Sequence, residues 1–207
     1  MQKPTQTVHK ALHVCREPSE ICLAFNGGKD CTALLFLVLP VWRKKYPSTK
    51  LSLIYIHDDG GFAEEKHFVH SVCNSYLIDS VTLTEIKHRS MKAALSYLTQ
   101  TQPSLRMIFM GTRHSDPHGG SLSVFDPTDV TWPAFIRVNP LLEWNYHDIW
   151  KFLRSLKLPF CSLYLHGYTS VGAITNTAPN PALRRDDGSY GPAWDLTDAH
   201  DERKGRC

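Results

Sequence analysis

From residue 26 to residue 30 the chain reads Asn-Gly-Gly-Lys-Asp. Gly27 and Gly28 permit a close backbone approach that a Cβ forbids. Lys29 adds a full positive charge, and Asp30 a carboxylate of the kind that holds Mg²⁺ against phosphates. An apolar run, Ile21 to Phe25, precedes the loop, and a helical pattern over 29–39 follows it. The loop would therefore join a buried strand to a helix N-terminus, which offers free N–H groups and about half a positive charge to an anion. Phosphate binding is the chemistry that this pattern suits. A Walker A loop would need Gly at position 23 and Ser or Thr at 30, where the chain has Leu23 and Asp30. The dinucleotide fingerprint G-x-G-x-x-G is absent too. An ordinary strand-to-helix turn can have the same residues, so the loop alone leaves the function open. Cys31 and Thr32 read as structural.

The elements that would position this loop alternate along the chain. A leading helix is expected over 5–16, and strands over 21–25, 51–56, 80–86 and 106–111. Between them lie helical patterns at 29–39, ended or kinked by Pro40, at 63–77 with Phe68, Val69, Val72 and Tyr76 on one side, and at 91–98. This alternation predicts an α/β fold, a mostly parallel sheet with helices on both faces. If winding reverses after the third strand, strands one and four are neighbours, and the loops Asn26–Asp30 and Gly111–Arg113 open together at the reversal point. Residues 112–133 are rich in Asp, Pro, Gly, Ser and His, a long loop of the kind that often carries function. A short strand is expected in AFIRVNPLL, then a helix capped by Asn145 with Ile149, Trp150, Leu153 and Leu156 on one face. From about 160 the chain reads as irregular.

The totals narrow the classes. A chain of 207 residues, 42% apolar, suits a single domain with a real core. A formal charge of +3 and the absence of basic runs interleaved with aromatics argue against a nucleic-acid partner. The six cysteines form no C-x-x-C pair, so no zinc or iron–sulfur site is expected, and free thiols fit better than disulfides. The ten-residue apolar run from Ala33 to Trp42 is too short for a membrane span of roughly 20 residues. No signal-peptide core precedes it. A cytoplasmic globular protein is expected.

FNGGKDCT resembles the modified PP-loop of ATP pyrophosphatases, in the form used by the phosphoadenylyl-sulfate reductase branch. MGTRHSDP, DPTDVTWPAFIRVNPLLEWNYHDIW, LYLHGYTSVG, NPALR and the terminal ERKGR follow in order. Together they resemble the eukaryotic FAD synthetase (FMN adenylyltransferase) family from about residue 20 onward. The resemblance implies AMP transfer from ATP to FMN with Mg²⁺ as cofactor, a PP-loop fold, and a C-terminal segment, about 160–207, folded across the flavin. It puts Asn26, Gly27, Gly28, Lys29 and Asp30 on the ATP loop, with His57, Gly111, Thr112 and Arg113 on further nucleotide contacts. Asp30 is the implied Mg²⁺ ligand, and Asp116 the acid near the reacting phosphates. Asp129, Trp132, Arg137 and Tyr168 fall on the flavin side, and Arg203 and Arg206 are the C-terminal arginine pair. Lys66 stands where the family often has an acid.

The chemistry is consistent from the residues up. The FMN phosphate is already ionised at neutral pH, so no general base is required, and positioning plus electrostatics should carry catalysis. Asp129 can accept the flavin imide N–H and Trp132 can support a flat ring, although a core tryptophan and a turn-capping aspartate would look alike. ERKGR alone reads as a solvated tail. Two rivals stand beside the enzyme. A phosphoadenylyl-sulfate reductase would need a reactive cysteine near the C-terminus in an E-C-G-x-H setting, whereas Cys207 follows Gly205-Arg206. A non-catalytic nucleotide-binding module would keep the glycines but could lose Asp30 and Asp116. Small-molecule partners alone are expected.

Overall fold

The computed structural model describes residues 3–88 and 90–207. Helix α1 (Pro4–Val14) leads into β1 (Ile21–Ala24), α2 (Lys29–Lys45), β2 (Leu51–His57), α3 (Ala63–Ser71), β3 (Val81–Lys87), α4 (Met91–Thr101) and β4 (Met107–Phe109). Strands β5 (Phe125–Pro127) and β6 (Ile136–Val138) and helix α5 (Tyr146–Ser155) complete the regular elements. The sheet runs β3-β2-β1-β4-β6-β5, parallel except for β5 at the edge. As the winding argument required, β1 and β4 are neighbours, with Ile21 opposite Met107 and Leu23 opposite Phe109.

Strand side chains alternate between faces, and here both faces are buried. Ile21 and Leu23 of β1, Leu51 and Leu53 of β2, and Met107 and Phe109 of β4 join the larger core with residues of α1, α2, α3 and α5. Their neighbours Cys22, Ile54 and Ile108 point the other way, into a smaller core with Ala94 and Leu98 of α4 and Phe135. Burial on both sides explains why these strands read as continuous apolar runs.

Four sequence expectations are corrected. Helix α2 continues through Pro40 to Lys45. Pro40 is exposed, and the turn beyond it buries Trp42, whose indole N–H donates to Thr49 O at 2.8 Å; that packing outweighs the missing backbone hydrogen bond. Helix α3 stops at Ser71 and a wider turn follows, closed by Leu77 N–H to Val72 O. The change of period rotates Tyr76 out of the Phe68–Val72 face, leaving it exposed against the edge of Phe36. Leu156 lies past the end of α5 and is exposed. The loop 112–133 contains β5, a three-residue edge strand whose Pro127 suits an edge. The cap at Asn145 is as expected: its side chain accepts Asp148 N–H at 2.9 Å, and Asp148 returns the bond to Asn145 N–H at 3.0 Å.

Candidate active site

The loops after β1 and β4 open side by side at the carboxyl end of the sheet. Gly27 has φ +82°, the left-handed region, with α3 directly beneath it: an added Cβ would stand 3.1 Å from Val69 and 3.3 Å from Glu65 O. Gly111 lets the β4 loop lie against the first turn of α2, where a Cβ would stand 2.9 Å from Cys31 N. Asn26 shapes the turn through its Oδ1, which accepts Gly28 N–H at 3.0 Å and the Cys31 thiol at 2.9 Å. With Oδ1 so engaged, the Asn26 amide nitrogen is left to donate elsewhere. Asp30 and Cys31, in the first turn of α2, have no intrahelical acceptor for their N–H groups.

A cleft of about 560 Å³ lies in front of these loops. Of the expected site residues, Asn26, Gly28, Lys29, Asp30, Gly111, Thr112, Asp116, Asp129, Trp132, Arg137 and Arg203 border it. Apolar residues of β2 and α4, among them Ile54, Ile56 and Leu95, line it as well.

At the cleft wall two cations face three carboxylates, with Lys29, Asp30, Asp116 and Glu202 on the lining and Arg113 behind it. Lys29 Nζ lies 2.5 Å from Glu202 Oε1 and 3.1 Å from Asp30 Oδ2, with the Tyr146 ring 5.4 Å beneath it. Arg113 Nη2 reaches Glu202 at 2.7 and 2.9 Å and Asp116 at 2.9 Å, and its Nε is 3.1 Å from Asp30 Oδ1. Asp116 also accepts the Arg113 backbone N–H at 2.8 Å. Burial works against the Lys29 ammonium; Asp30 and Glu202 outweigh it and hold the amine above its ordinary value. Burial likewise raises Glu202, but Lys29 and Arg113 prevail and keep it below the usual carboxylate range. For Asp30 burial wins: with Glu202 and Asp116 nearby, its carboxyl sits above the ordinary value despite Lys29 and Arg113.

Some expected residues lie elsewhere. Arg113, read as facing phosphates, is 1% exposed and enclosed by carboxylates, so it holds Asp30, Asp116 and Glu202 in place from behind. His57 is on the opposite face of β2 from Ile54 and Ile56, a consequence of the two-residue period; it stacks on Tyr55 at 4.8 Å, with Nε2 2.7 Å from Glu85. Tyr168 packs edge-on against Phe62 at 5.4 Å and does not border the cleft. Arg137, on β6, does border the cleft and is paired there with Asp126.

Residues 20–179 match the family model described as the phosphoadenosine phosphosulfate reductase domain. A probable FAD synthase of Schizosaccharomyces pombe is 36% identical over 196 residues, which span 92% of this chain and 72% of that protein. A probable FAD synthase of Caenorhabditis elegans is 39% identical over 91% of this chain, but the match spans only 36% of that longer protein. The crystal structure of Candida glabrata FMN adenylyltransferase with FMN and the ATP analogue AMPCPP superposes with a TM-score of 0.88 at 31% identity, covering 98% of this chain and 88% of that one.

The chain belongs to the FAD synthase family.

In this FAD synthase family member, the residues that sequence reasoning missed are those that dock the tail. Glu202 is one of them, and ERKGR drew attention only through its arginines. Asn180 is 0% exposed, and its amide donates to Thr169 Oγ1 and to Asp201 O, both at 2.8 Å. Thr169 in turn donates to Glu202 O at 2.6 Å. Ala178 N–H to Gly205 O and Cys207 N–H to Asn176 O complete the clip. The tail is therefore a docked turn, Ala199–Arg203, and not a solvated end.

Arg203 reaches Ser170 Oγ at 3.5 Å, and the Arg206 guanidinium lies directly against the Gly172 backbone, with Nε lacking a hydrogen-bond partner among the described residues. A Cβ at Gly172 would overlap that guanidinium. Gly172→Ala should therefore push Arg206 aside with little change in thermal midpoint, because the end of a flexible side chain yields easily. If Arg206 serves FMN, both Gly172→Ala and Arg206→Ala should raise the FMN KM about tenfold, roughly 1.4 kcal/mol, with ATP affinity kept. Steady-state kinetics with each substrate varied checks this, and an unchanged FMN KM in both variants refutes it.

Glu65, on the first turn of α3, is buried beneath Gly27. Burial pushes it up to about 7, against the pull of the Phe62 N–H and Arg206. A raised carboxyl keeps its proton in the folded state while the unfolded chain releases it, so stability is greatest below the ordinary value of 4.5 and falls until pH 7. Glu65→Gln should flatten that slope and gain on the order of 3 kcal/mol at pH 8, from about 1.4 kcal/mol per pH unit. Urea unfolding at pH 5 and pH 8 measures it; parallel pH profiles for the two proteins would exclude it.

Proposed function

We propose that this protein transfers AMP from ATP to FMN, giving FAD and pyrophosphate, with Mg²⁺ required. An oxygen of the FMN phosphate attacks the α-phosphorus, the α–β bridge bond breaks, and pyrophosphate leaves. The observation that carries this reading is the shared cleft: the glycine loop and its carboxylates border the same space as Asp129, Trp132 and Arg203. The S. pombe and C. elegans proteins are named as probable FAD synthases, and the C. glabrata structure holds FMN and an ATP analogue, which supports the substrate pair.

In this reading the glycine loop and the N-terminus of α2 grip the departing pyrophosphate, whose growing charge they neutralise. Asn26, Gly28, Lys29, Asp30 and Gly111 serve ATP. Asp129 accepts the flavin imide N–H, Trp132 supports the ring, and Arg203 and Arg206 hold phosphate. Asp116 stands near the reacting groups, and Arg113 acts through the carboxylates that it positions.

The donor set fits Mg²⁺. Asp30 and Asp116 are two carboxylates on the cleft. No group of three or more His, Cys, Asp or Glu able to hold a metal occurs among the described residues. Asp30 and Asp116 would supply one or two carboxylates to an ion held together with substrate phosphates. Bound there, Mg²⁺ would offset phosphate charge.

Residues 1–207 are read as one adenylyltransferase domain whose segment from about 160 covers the flavin. No helix among the described residues is long and apolar enough to cross a membrane; a cytoplasmic location and small-molecule partners alone belong to the proposal. The test is direct. Protein mixed with FMN, ATP and Mg²⁺ should lose flavin fluorescence as adenine stacks on the ring, and FAD should be recovered by chromatography. Absence of FAD while both substrates bind would sink the proposal.

A further inference from the structure

Tyr164 lies in the turn Ser162–His166, is 2% exposed, and borders the cleft. Its hydroxyl oxygen accepts the backbone N–H of Lys29, the first residue of α2, at 2.9 Å. A Cβ built on Gly28 would stand 3.8 Å from that oxygen, so the hydroxyl is set into the glycine loop itself. Trp150 fixes the ring, edge to face at 5.2 Å. Burial, with the Asp30 charge second, holds the phenol well above its ordinary value, so the group keeps its proton.

That proton has no acceptor among the described residues: the one hydrogen bond at this hydroxyl is the bond that it receives. A buried O–H without an acceptor is costly, and the space beside it is the cleft. We propose that the Tyr164 hydroxyl donates to an anionic oxygen of the nucleotide's pyrophosphate portion, passing the Lys29 N–H on to the ligand as a second hydrogen bond. An amide donating into a hydroxyl polarises it and strengthens its own donation. No proton is transferred; the phenol remains a phenol throughout. Tyr164 thereby adds a side-chain donor to a loop whose first helical N–H would otherwise be unavailable to the ligand.

The inference rests on the function proposed above, and the experiment separates the two. Intact wild-type and Tyr164→Phe proteins are titrated calorimetrically with inorganic pyrophosphate and, separately, with FMN. Loss of a hydrogen bond to a charged oxygen should weaken pyrophosphate binding about tenfold or more, with FMN affinity unchanged. Equal pyrophosphate affinity in the two proteins overturns this inference alone. Wild-type protein that forms no FAD overturns the functional reading beneath it. Where Tyr164→Phe fails to fold, 3-fluorotyrosine placed at 164 keeps the hydroxyl. Its ¹⁹F resonance should move on adding pyrophosphate, and a resonance that stays in place overturns the inference.

Discussion

Glu202→Ala should lower FAD formation about a thousandfold and stability by about 3–5 kcal/mol, the cost of removing one partner from a buried charge cluster. Glu202 and Asp30 each pair with both cations, but Glu202 is the closer, at 2.5 Å from Lys29 and 2.7 Å from Arg113. The pairing is weak evidence of net stabilisation, because desolvating five ionisable groups opposes the Coulomb gain. Its removal is another matter: Lys29 and Arg113 remain buried with less compensation. The loss also reaches the second half of the site. Glu202 precedes Arg203 on the docked turn, so releasing it from the glycine loop frees the segment that carries the arginine pair. Because Glu202 titrates below its usual value, its contribution is present above pH 4.5 and fades as pH falls further. The variant should therefore lose stability most at neutral pH and differ least in acid. Urea unfolding at several pH values and single-substrate kinetics measure both effects. A variant with wild-type stability and a wild-type FMN KM would show that the tail docks independently of Glu202.

How much of this was readable in advance depends on whether a signal is local. The β1–glycine–α2 unit was legible because backbone requirements are written into residue types: only glycine accepts φ +82° at position 27 without strain. The parallel central strands were legible because both faces of β1, β2 and β4 bury apolar side chains, whereas the adjacency of β1 and β4 followed only from an assumed reversal of winding after the third strand. The course of α2 past Pro40 was not, since the packing of Trp42 that decides it is tertiary. The position of His57 followed from strand period alone, had the period been counted from Ile54 and Ile56. Arg113 and Glu202 were not legible: an arginine facing phosphate and one enclosed by carboxylates look alike in sequence, and their partners are 89 residues apart. Tyr164 was hidden for the same reason, its contact with Lys29 spanning 135 residues.

Asp30→Ala should separate catalysis from folding. Turnover is expected to fall by about 10²–10³, the scale for losing one electrostatic stabiliser of the reacting charge, whereas stability should change far less than in Glu202→Ala. The reason lies in contact distance and exposure. Removing either carboxylate leaves two cations facing two carboxylates, but Asp30 makes the longer contacts, 3.1 Å to Lys29 and 3.1 Å to Arg113, against 2.5 and 2.7 Å for Glu202. The Asp30 side chain is also 23% exposed against 10% for Glu202, and burial already works against its charged form, so its ionised state contributes little to holding the fold. Asp30 borders the cleft beside Asp116, where its carboxylate would serve the substrate-bound cation. The dependence of rate on Mg²⁺ concentration should therefore weaken together with turnover, while Asp30→Asn, which keeps the shape but not the charge, should behave like alanine. Two outcomes would contradict this. A large fall in stability with little loss of turnover would make Asp30 a structural ion pair, and an unaltered Mg²⁺ dependence at reduced turnover would move the metal to Asp116.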